Sequence, residues 1–333
     1  MRTFLPSRPL FHHRCVRTAA AGVAIMLLAG GCSIGGGTKT AAAAGSLAQG
    51  ASLKGATFTV GGKEFTEQEV LCQMTIQALR SAGATVNEKC GLSGSNTVRT
   101  ALTSGQVDLY WEYTGTAWIS YLQHTTPITD PTQQYQAVAR EDLAKNQIEW
   151  LKPAPFNNTY ALAAKDTKAQ QLGVKTLSDY AKLVQSDPTK ASLCVASEFV
   201  GRSDGLPGLE KAYGFTEPAS SIATLAEGAI YNSISKSNPC NFGEVFTTDG
   251  RIKGLGLTPL TDDKNFFPVY NPAVTVRKSV ADANPNLANV LDPISQALDT
   301  PTIQELNAQV DIQGKQPADV AKTWLQSKGF IGK

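Results

Sequence analysis

The sequence predicts an α/β protein with two domains, each a sheet flanked by helices. Three observations lead there. The chain has 333 residues, long enough for two domains at roughly 100–200 residues each. Short β-rich runs alternate with amphipathic helical runs, the pattern of strands joined by helical crossovers. Hydrophobic residues make up 42% and charged ones 17%, with a net charge of +2. That composition excludes a disordered chain and gives no basic excess of the kind nucleic-acid binders carry. Several apolar runs of about 20 residues, which a polytopic membrane protein needs, are absent from the sequence.

The N-terminus reads as an export signal. Residues 1–63 contain no Asp or Glu, and Arg2, Arg8, Arg14 and Arg17 form a basic leader. The apolar stretch Ala19–Gly31 has 13 residues, too short to span a bilayer and suited to a signal core. It runs into Cys32 as LLAGGC, similar to a bacterial lipoprotein signal in which the Cys becomes the lipidated first residue. Leu28 lies four residues before Cys32, where that pattern has a Leu three before. The alternative is an ordinary secretory signal cleaved nearby. Residues 1–31 are therefore taken as the signal peptide. Residues 32–55 are taken as the lipidated Cys and a flexible Gly/Ala/Ser linker. Loss of residues 1–31 removes four arginines, leaving 26 basic against 28 acidic residues.

From there the elements follow in order. Ala56–Gly61 predicts a strand. Thr66-Glu67-Gln68-Glu69 fits a capping box, opening a helix that stops near Gly83. Ala84–Lys89 predicts a strand, Asn96–Ser104 a helix, and Val107–Tyr113 a third strand. Thr114-Gly115-Thr116 turns into a helix containing Trp118 and Leu122. This β-α-β-α-β-α order predicts a parallel sheet. In the second half, Asn158–Ala164, Leu193–Ser197, Glu244–Thr248 and Leu257–Leu260 predict strands. Helices are predicted after Thr176 and at Leu206–Tyr213, 287–298, 302–311 and 318–327, with an extended segment at Phe267–Arg277. Ligands on such sheets bind beyond the C-terminal strand ends. The loops Gly61–Thr66, Glu112–Thr116 and Glu198–Asp204 occupy that position.

Catalytic signatures are missing from the sequence. It has no phosphate-loop motif, and Gly254-Leu255-Gly256 lacks the third Gly of a dinucleotide fingerprint. Gly91-Leu92-Ser93-Gly94-Ser95 misses a nucleophile elbow by one position. His124 is the one histidine beyond the signal, and no C-x-x-C occurs, so neither a Ser-His-Asp triad nor a metal site is expected. Beyond the signal and Cys32 remain Cys72, Cys90, Cys194 and Cys240. An exported chain permits disulfides, and four cysteines allow three pairings. Sequence neighbours suggest Cys72–Cys90 and Cys194–Cys240; buried free thiols are the alternative.

Several segments together resemble one family. Val60-Gly61-Gly62-Lys63-Glu64-Phe65-Thr66-Glu67-Gln68 resembles its "VGSKxFTEQ", and Gly94–Leu102 (GSNTVRTAL) its "GGTNVVRxAL". Ser104–Thr116 (SGQVDLYWEYTGT) resembles "SGEIDxYxEYTGT". Thr247–Gly250 and Phe266–Tyr270 resemble "TTDG" and "FFPPY". These belong to the glycine betaine/choline/carnitine substrate-binding proteins of ABC importers, OpuAC-like and ProX-type. The likeness covers about residues 57–330.

The resemblance implies a two-lobed periplasmic-binding-protein fold of type II, with the ligand cleft between lobes. Residues 56–155 with 259–333 would form one lobe and 156–258 the other. It implies a monomeric receptor, not an enzyme, without cofactor. That receptor would deliver a quaternary ammonium osmolyte to a membrane permease served by a separate ATPase.

Such a ligand has a cation without N–H groups, which aromatic faces attract, and a carboxylate, which basic groups and hydroxyls attract. Carried over by position, the aromatic box falls on Tyr113, Tyr160 and Tyr270, with Phe246 where relatives often have Tyr. The carboxylate clamp falls on Lys63, Thr116 and Arg202. Trp111 either lines the cleft or packs beneath it. Because of Phe246, another betaine such as ergothioneine is an alternative ligand. An exported hydrolase using His124 is the alternative of another class.

Overall fold

The computed structural model describes residues 44–333, and ten strands organise it. The expected signal peptide, the lipidation at Cys32 and the linker as far as residue 43 lie outside the described residues.

The first sheet has the order β2-β1-β3-β10-β4, with β1 Thr57–Lys63, β2 Thr85–Leu92, β3 Leu109–Tyr113, β4 Ile148–Trp150 and β10 Pro272–Arg277. The second has the order β7-β6-β8-β5-β9, with β5 Tyr160–Lys165, β6 Leu193–Val195, β7 Ile222–Thr224, β8 Phe242–Phe246 and β9 Leu257–Pro259. The chain passes from the first sheet to the second between Trp150 and Tyr160, and returns between Pro259 and Pro272.

The sheets are mixed where the strand order predicted parallel ones. β1 pairs in parallel with β2 and β3, as its crossover helices require. β10 then enters between β3 and β4 and runs antiparallel to both. The returning chain approaches from the opposite end, which reverses its direction. Likewise β5 pairs antiparallel with β8 and β9.

Helices cover both sheets. Thr66–Ser81 buries Val70, Leu71, Met74, Ala78 and Leu79 against β1 and β2. That i, i+4 spacing is the apolar stripe that seats a helix on a sheet. Its expected capping box is absent. Phe65 is the N-cap residue, and Thr66 hydrogen-bonds instead to Asp311, 2.6 Å away. Leu177–Ser186 does carry a capping box, between Thr176 and Asp179. The helices Pro131–Asn146 and Glu227–Ser235 were not expected. The first hides in polar residues and is held by Val138, buried in the core, and by Asp142, bonded to Arg99.

The expected linker differs from residue 44 onward. Ala44 bridges to Ile331, Ser46–Gly50 is a short helix, and Leu47, Ala51 and Leu53 are buried. Full burial of each Leu contributes roughly 1.5–3 kcal/mol, enough to dock a segment whose Gly/Ala/Ser content suggested a tether. Bridges join Cys72 to Cys90, tying the helix Thr66–Ser81 to β2, and Cys194 to Cys240, tying β6 to the loop before β8.

Candidate functional site

A cavity of about 350 Å³ opens where the C-terminal ends of β1 and β3 face β5, β6 and β8. The first sheet and its loops supply Lys63, Glu64, Phe65, Tyr113, Thr116 and Tyr270; the second supplies Tyr160, Glu198, Glu227, Glu244 and Phe246.

Local structure explains the rings. Tyr113 is the last residue of β3, and the chain turns at once through Thr114-Gly115-Thr116. A Cβ on Gly115 would lie 2.6 Å from the Tyr270 ring, so only glycine lets that ring close on the turn. Tyr160 and Phe246 are directly opposed on antiparallel β5 and β8, which puts both on one face. Their ring centroids are 5.1 Å apart. Phe246 lies 5.0 Å from Phe65, and Phe65 6.1 Å from Tyr113. Tyr160 meets Tyr270 edge-on at 5.5 Å. Five rings thus border one space.

Lys63, Tyr113, Thr116, Tyr160, Phe246 and Tyr270 are all brought to the cavity. Two expected residues are not. Trp111 shares the Tyr113 face of β3, but the helix Thr66–Ser81 covers it, and its indole N–H donates to Thr75 at 2.8 Å. Trp111 therefore belongs to the core beneath the site. Arg202 lies behind the lining, its guanidinium 5.7 Å from the Tyr160 ring. It is bound in bidentate fashion by Asp204 at 2.8 and 2.5 Å and by Glu198 at 2.8 Å, and reaches Thr116 at 3.4 Å. Asp204 also accepts from the Tyr270 hydroxyl at 2.7 Å. Arg202 thus braces Tyr160, Glu198 and Thr116 directly, and Tyr270 through Asp204. Lys63 is likewise engaged: its Nζ is 2.7 Å from Glu112 and 5.1 Å from the Tyr113 ring centroid. His124 bonds Glu141 at 2.8 Å and stacks on Trp118, away from the residues lining the cavity.

The sequence reading missed Phe65 and the acidic lining. Phe65 stands inside a quoted motif and in the ligand-side loop Gly61–Thr66, but the sequence reading does not single it out as a site residue. Its position directly after the end of β1 was the available signal. Glu64, Glu198, Glu227 and Glu244 surround the cavity from a loop, the first turns of two helices and a strand, with no shared spacing. Burial alone would raise the Glu198 carboxyl, but Lys63, Arg202 and the Ser95 hydrogen bond hold it at about 2. Burial raises Glu244 well above the carboxylate range, reinforced by Glu227. Glu227 is raised by burial and then by Asp249.

Space ringed by aromatic faces and net negative lining suits an organic cation. No helix among the described residues is long and apolar enough to cross a membrane.

Known proteins agree with this geometry. Residues 56–327 match the substrate binding domain of the ABC-type glycine betaine transport system. A glycine-betaine-binding protein of Pseudomonas aeruginosa is 40% identical over 83% of this chain and 89% of its own. The ergothioneine transport permease/ergothioneine binding protein EgtU of Helicobacter pylori is 32% identical over 81% of this chain, which spans 47% of that longer protein. Apo YehZ from Escherichia coli superimposes with a TM-score of 0.60 at 33% identity, over 82% of this chain and 99% of that one. With its two-lobed periplasmic-binding-protein fold of type II, the chain belongs to the family of substrate-binding domains of ABC-type glycine betaine transport systems.

Proposed function

We propose that the protein captures a quaternary ammonium solute of the glycine betaine class between its lobes and presents the closed form to a permease. The cluster of Phe65, Tyr113, Tyr160, Phe246 and Tyr270 around one cavity carries this reading. A trimethylammonium group cannot donate a conventional hydrogen bond. Aromatic faces in a desolvated site attract it by roughly 0.5–2 kcal/mol each. Residues 56–155 with 259–333 act as one lobe and 156–258 as the other. A ligand touching both lobes stabilises closure by its differential affinity for the closed form. The protein works by binding alone, as a monomer. A separate ATPase powers the permease, and a lipid at Cys32 holds the receptor on the outer face of the cytoplasmic membrane.

Isothermal titration of the purified protein with glycine betaine, carnitine, choline and uncharged amino acids tests the reading. Binding confined to quaternary ammonium compounds supports it; binding confined to the amino acids refutes it. Loss of radiolabelled palmitate incorporation in Cys32→Ala tests the anchor.

The relative EgtU favours ergothioneine as a second reading, since that molecule also carries a trimethylammonium group. The titration panel includes it.

A further inference from the structure

A buried carboxyl group stands directly behind the cavity wall. Glu67 is 3% exposed and does not line the cavity, but two residues that do, Tyr113 and Asn158, hydrogen-bond to it. The Tyr113 hydroxyl donates to Oε1 at 2.8 Å, and the Asn158 amide donates to the same oxygen at 3.0 Å. Oε2 accepts from the Thr248 hydroxyl at 2.6 Å and from the Asn307 amide at 3.2 Å. Four donors fill the acceptor positions of an ionised carboxylate. All four are uncharged, so among the described residues the carboxylate is held by donors rather than by a cation.

The same surroundings also fit the neutral acid. Oδ1 of Asn158 and Oδ1 of Asn307 are buried and have no hydrogen-bond partner among the described residues. With either amide turned over, its oxygen accepts the O–H of a protonated Glu67. Burial raises the Glu67 carboxyl to about 7, against the hydrogen bonds from Thr248, Tyr113 and Asn307. Both forms are therefore populated near neutrality.

The neighbouring charges are already paired or lie away from the rings. Asp249, beyond β8, opposes ionisation of Glu67 and is bound by Arg251. Asp311, one turn after Asn307, bonds to Thr66 and lies 3.7 Å from Arg251. Burial raises Asp311 to about 6, but its partners are not cavity rings. Glu69, on the same helix as Glu67, is also raised by burial. On the cavity side, Lys63 is committed to Glu112. A quaternary ammonium group against the Tyr113 ring stands one phenol away from Glu67 and favours its charged form.

We infer that Glu67 is a positioning residue for Tyr113, and that capture of a quaternary cation expels the Glu67 proton to solvent. The inference rests on the function proposed above and adds a regulation of that site: binding tightens as pH rises. The ionised carboxylate holds the Tyr113 hydroxyl and so fixes the ring. It also draws negative charge toward the ring face, on which cation–π attraction depends. Linkage is reciprocal, so a cation that drives the proton off is bound more tightly by the deprotonated protein.

Isothermal titration of the full protein with glycine betaine and with choline tests this. Paired runs in phosphate and Tris at about pH 7 read the released proton from the difference in buffer ionisation heat. Wild type is expected to release roughly 0.3 proton per ligand, and to bind about fivefold more tightly at about pH 8.5 than at about pH 5.5. Glu67→Gln is expected to release less than about 0.1 proton and to hold its affinity within about twofold over that range. Asp311→Asn is expected to keep the wild-type release. Tyr113→Phe keeps the ring but takes a donor from the carboxylate, and is expected to move the release to higher pH. That variant decides the matter if circular dichroism shows Glu67→Gln unfolded. Binding by wild type without proton release overturns the inference and leaves the aromatic reading standing. Release that survives in Glu67→Gln also overturns it and assigns the proton to Glu227 or Glu244 in the lining. A release profile unchanged in Tyr113→Phe overturns it as well. If neither compound binds, the proposed function falls and this inference with it.

Discussion

The Tyr113 hydroxyl donates to Glu67 Oε1 at 2.8 Å, joining a cavity ring to a buried carboxyl group at the meeting point of the two sheets. The same oxygen accepts from Asn158 at 3.0 Å, on the segment that leads into β5. The other oxygen accepts from Thr248 at 2.6 Å and Asn307 at 3.2 Å, beyond β8 and on the helix Thr300–Asp311. Glu67 therefore gathers the cavity, the first passage between sheets and the C-terminal packing into one hydrogen-bonded centre.

That centre titrates near neutrality. Burial raises the Glu67 carboxyl to about 7, although hydrogen bonds from Thr248, Tyr113 and Asn307 oppose the rise. A carboxyl raised above its ordinary value binds more protons folded than unfolded, so its contribution is full below about 4.5 and is lost as pH rises to about 7. Glu67→Gln is expected to flatten the stability profile between those limits, by up to about 3 kcal/mol. Urea unfolding at several pH values measures it. An unchanged slope in the variant would show that Glu67 does not set the profile.

Removing rings should weaken binding without unfolding the protein. Tyr160→Ala and Phe246→Ala are each expected to lower affinity roughly three- to thirtyfold, as loss of one desolvated cation–π contact predicts. Tyr113→Ala should cost more, since it also removes a donor from Glu67. Calorimetry reads the affinities, and circular dichroism confirms folding.

Lys63 is expected to behave differently from a simple ligand clamp. Glu112 is wholly buried and also accepts from Tyr110 and Tyr121 at 2.7 Å. Lys63→Met leaves that carboxylate without its cation and should cost about 3–5 kcal/mol of stability. Denaturant titration decides it. A loss of affinity with full stability would return Lys63 to the role of carboxylate clamp.

The disulfides should matter for stability alone. The bridges close loops with sequence separations of 18 and 46 residues. Loop entropy gives roughly 3–4 kcal/mol for each. Reduction is expected to lower the melting temperature, while ligand still raises it in the reduced protein.

Local signals carried much of this far. The strands around Tyr113, Tyr160 and Phe246 and the helices Leu206–Tyr213 and Thr66–Ser81 follow from apolar periodicity and Gly stops. Six of the eight expected ligand-site residues stand at the cavity because the linked motifs lie at or just beside strand ends there. The misses were long-range. Whether Arg202 faces a ligand or Asp204 depends on a turn two residues away. Trp111 and Tyr113 share a face, yet where the helix ends its cover decides which is core. The insertion of β10 beside β3 depends on partners more than 150 residues away, and the docking of Leu47 on the backbone at Phe330 more than 280 away, which no local window contains. The acidic lining was invisible for the same reason: Glu64, Glu198, Glu227 and Glu244 converge only after folding.

The central claim is that the cavity recognises a quaternary cation by its charge against aromatic faces. The most direct test compares choline and glycine betaine with their neutral-headed isosteres, in which a tert-butyl group replaces trimethylammonium. Shape and far end are kept, and the positive charge is removed. The account expects the quaternary member of each pair to bind at least about tenfold tighter, with the preference reduced in Phe246→Ala. Equal affinity within both pairs would show that the rings provide only an apolar pocket, and would contradict the account.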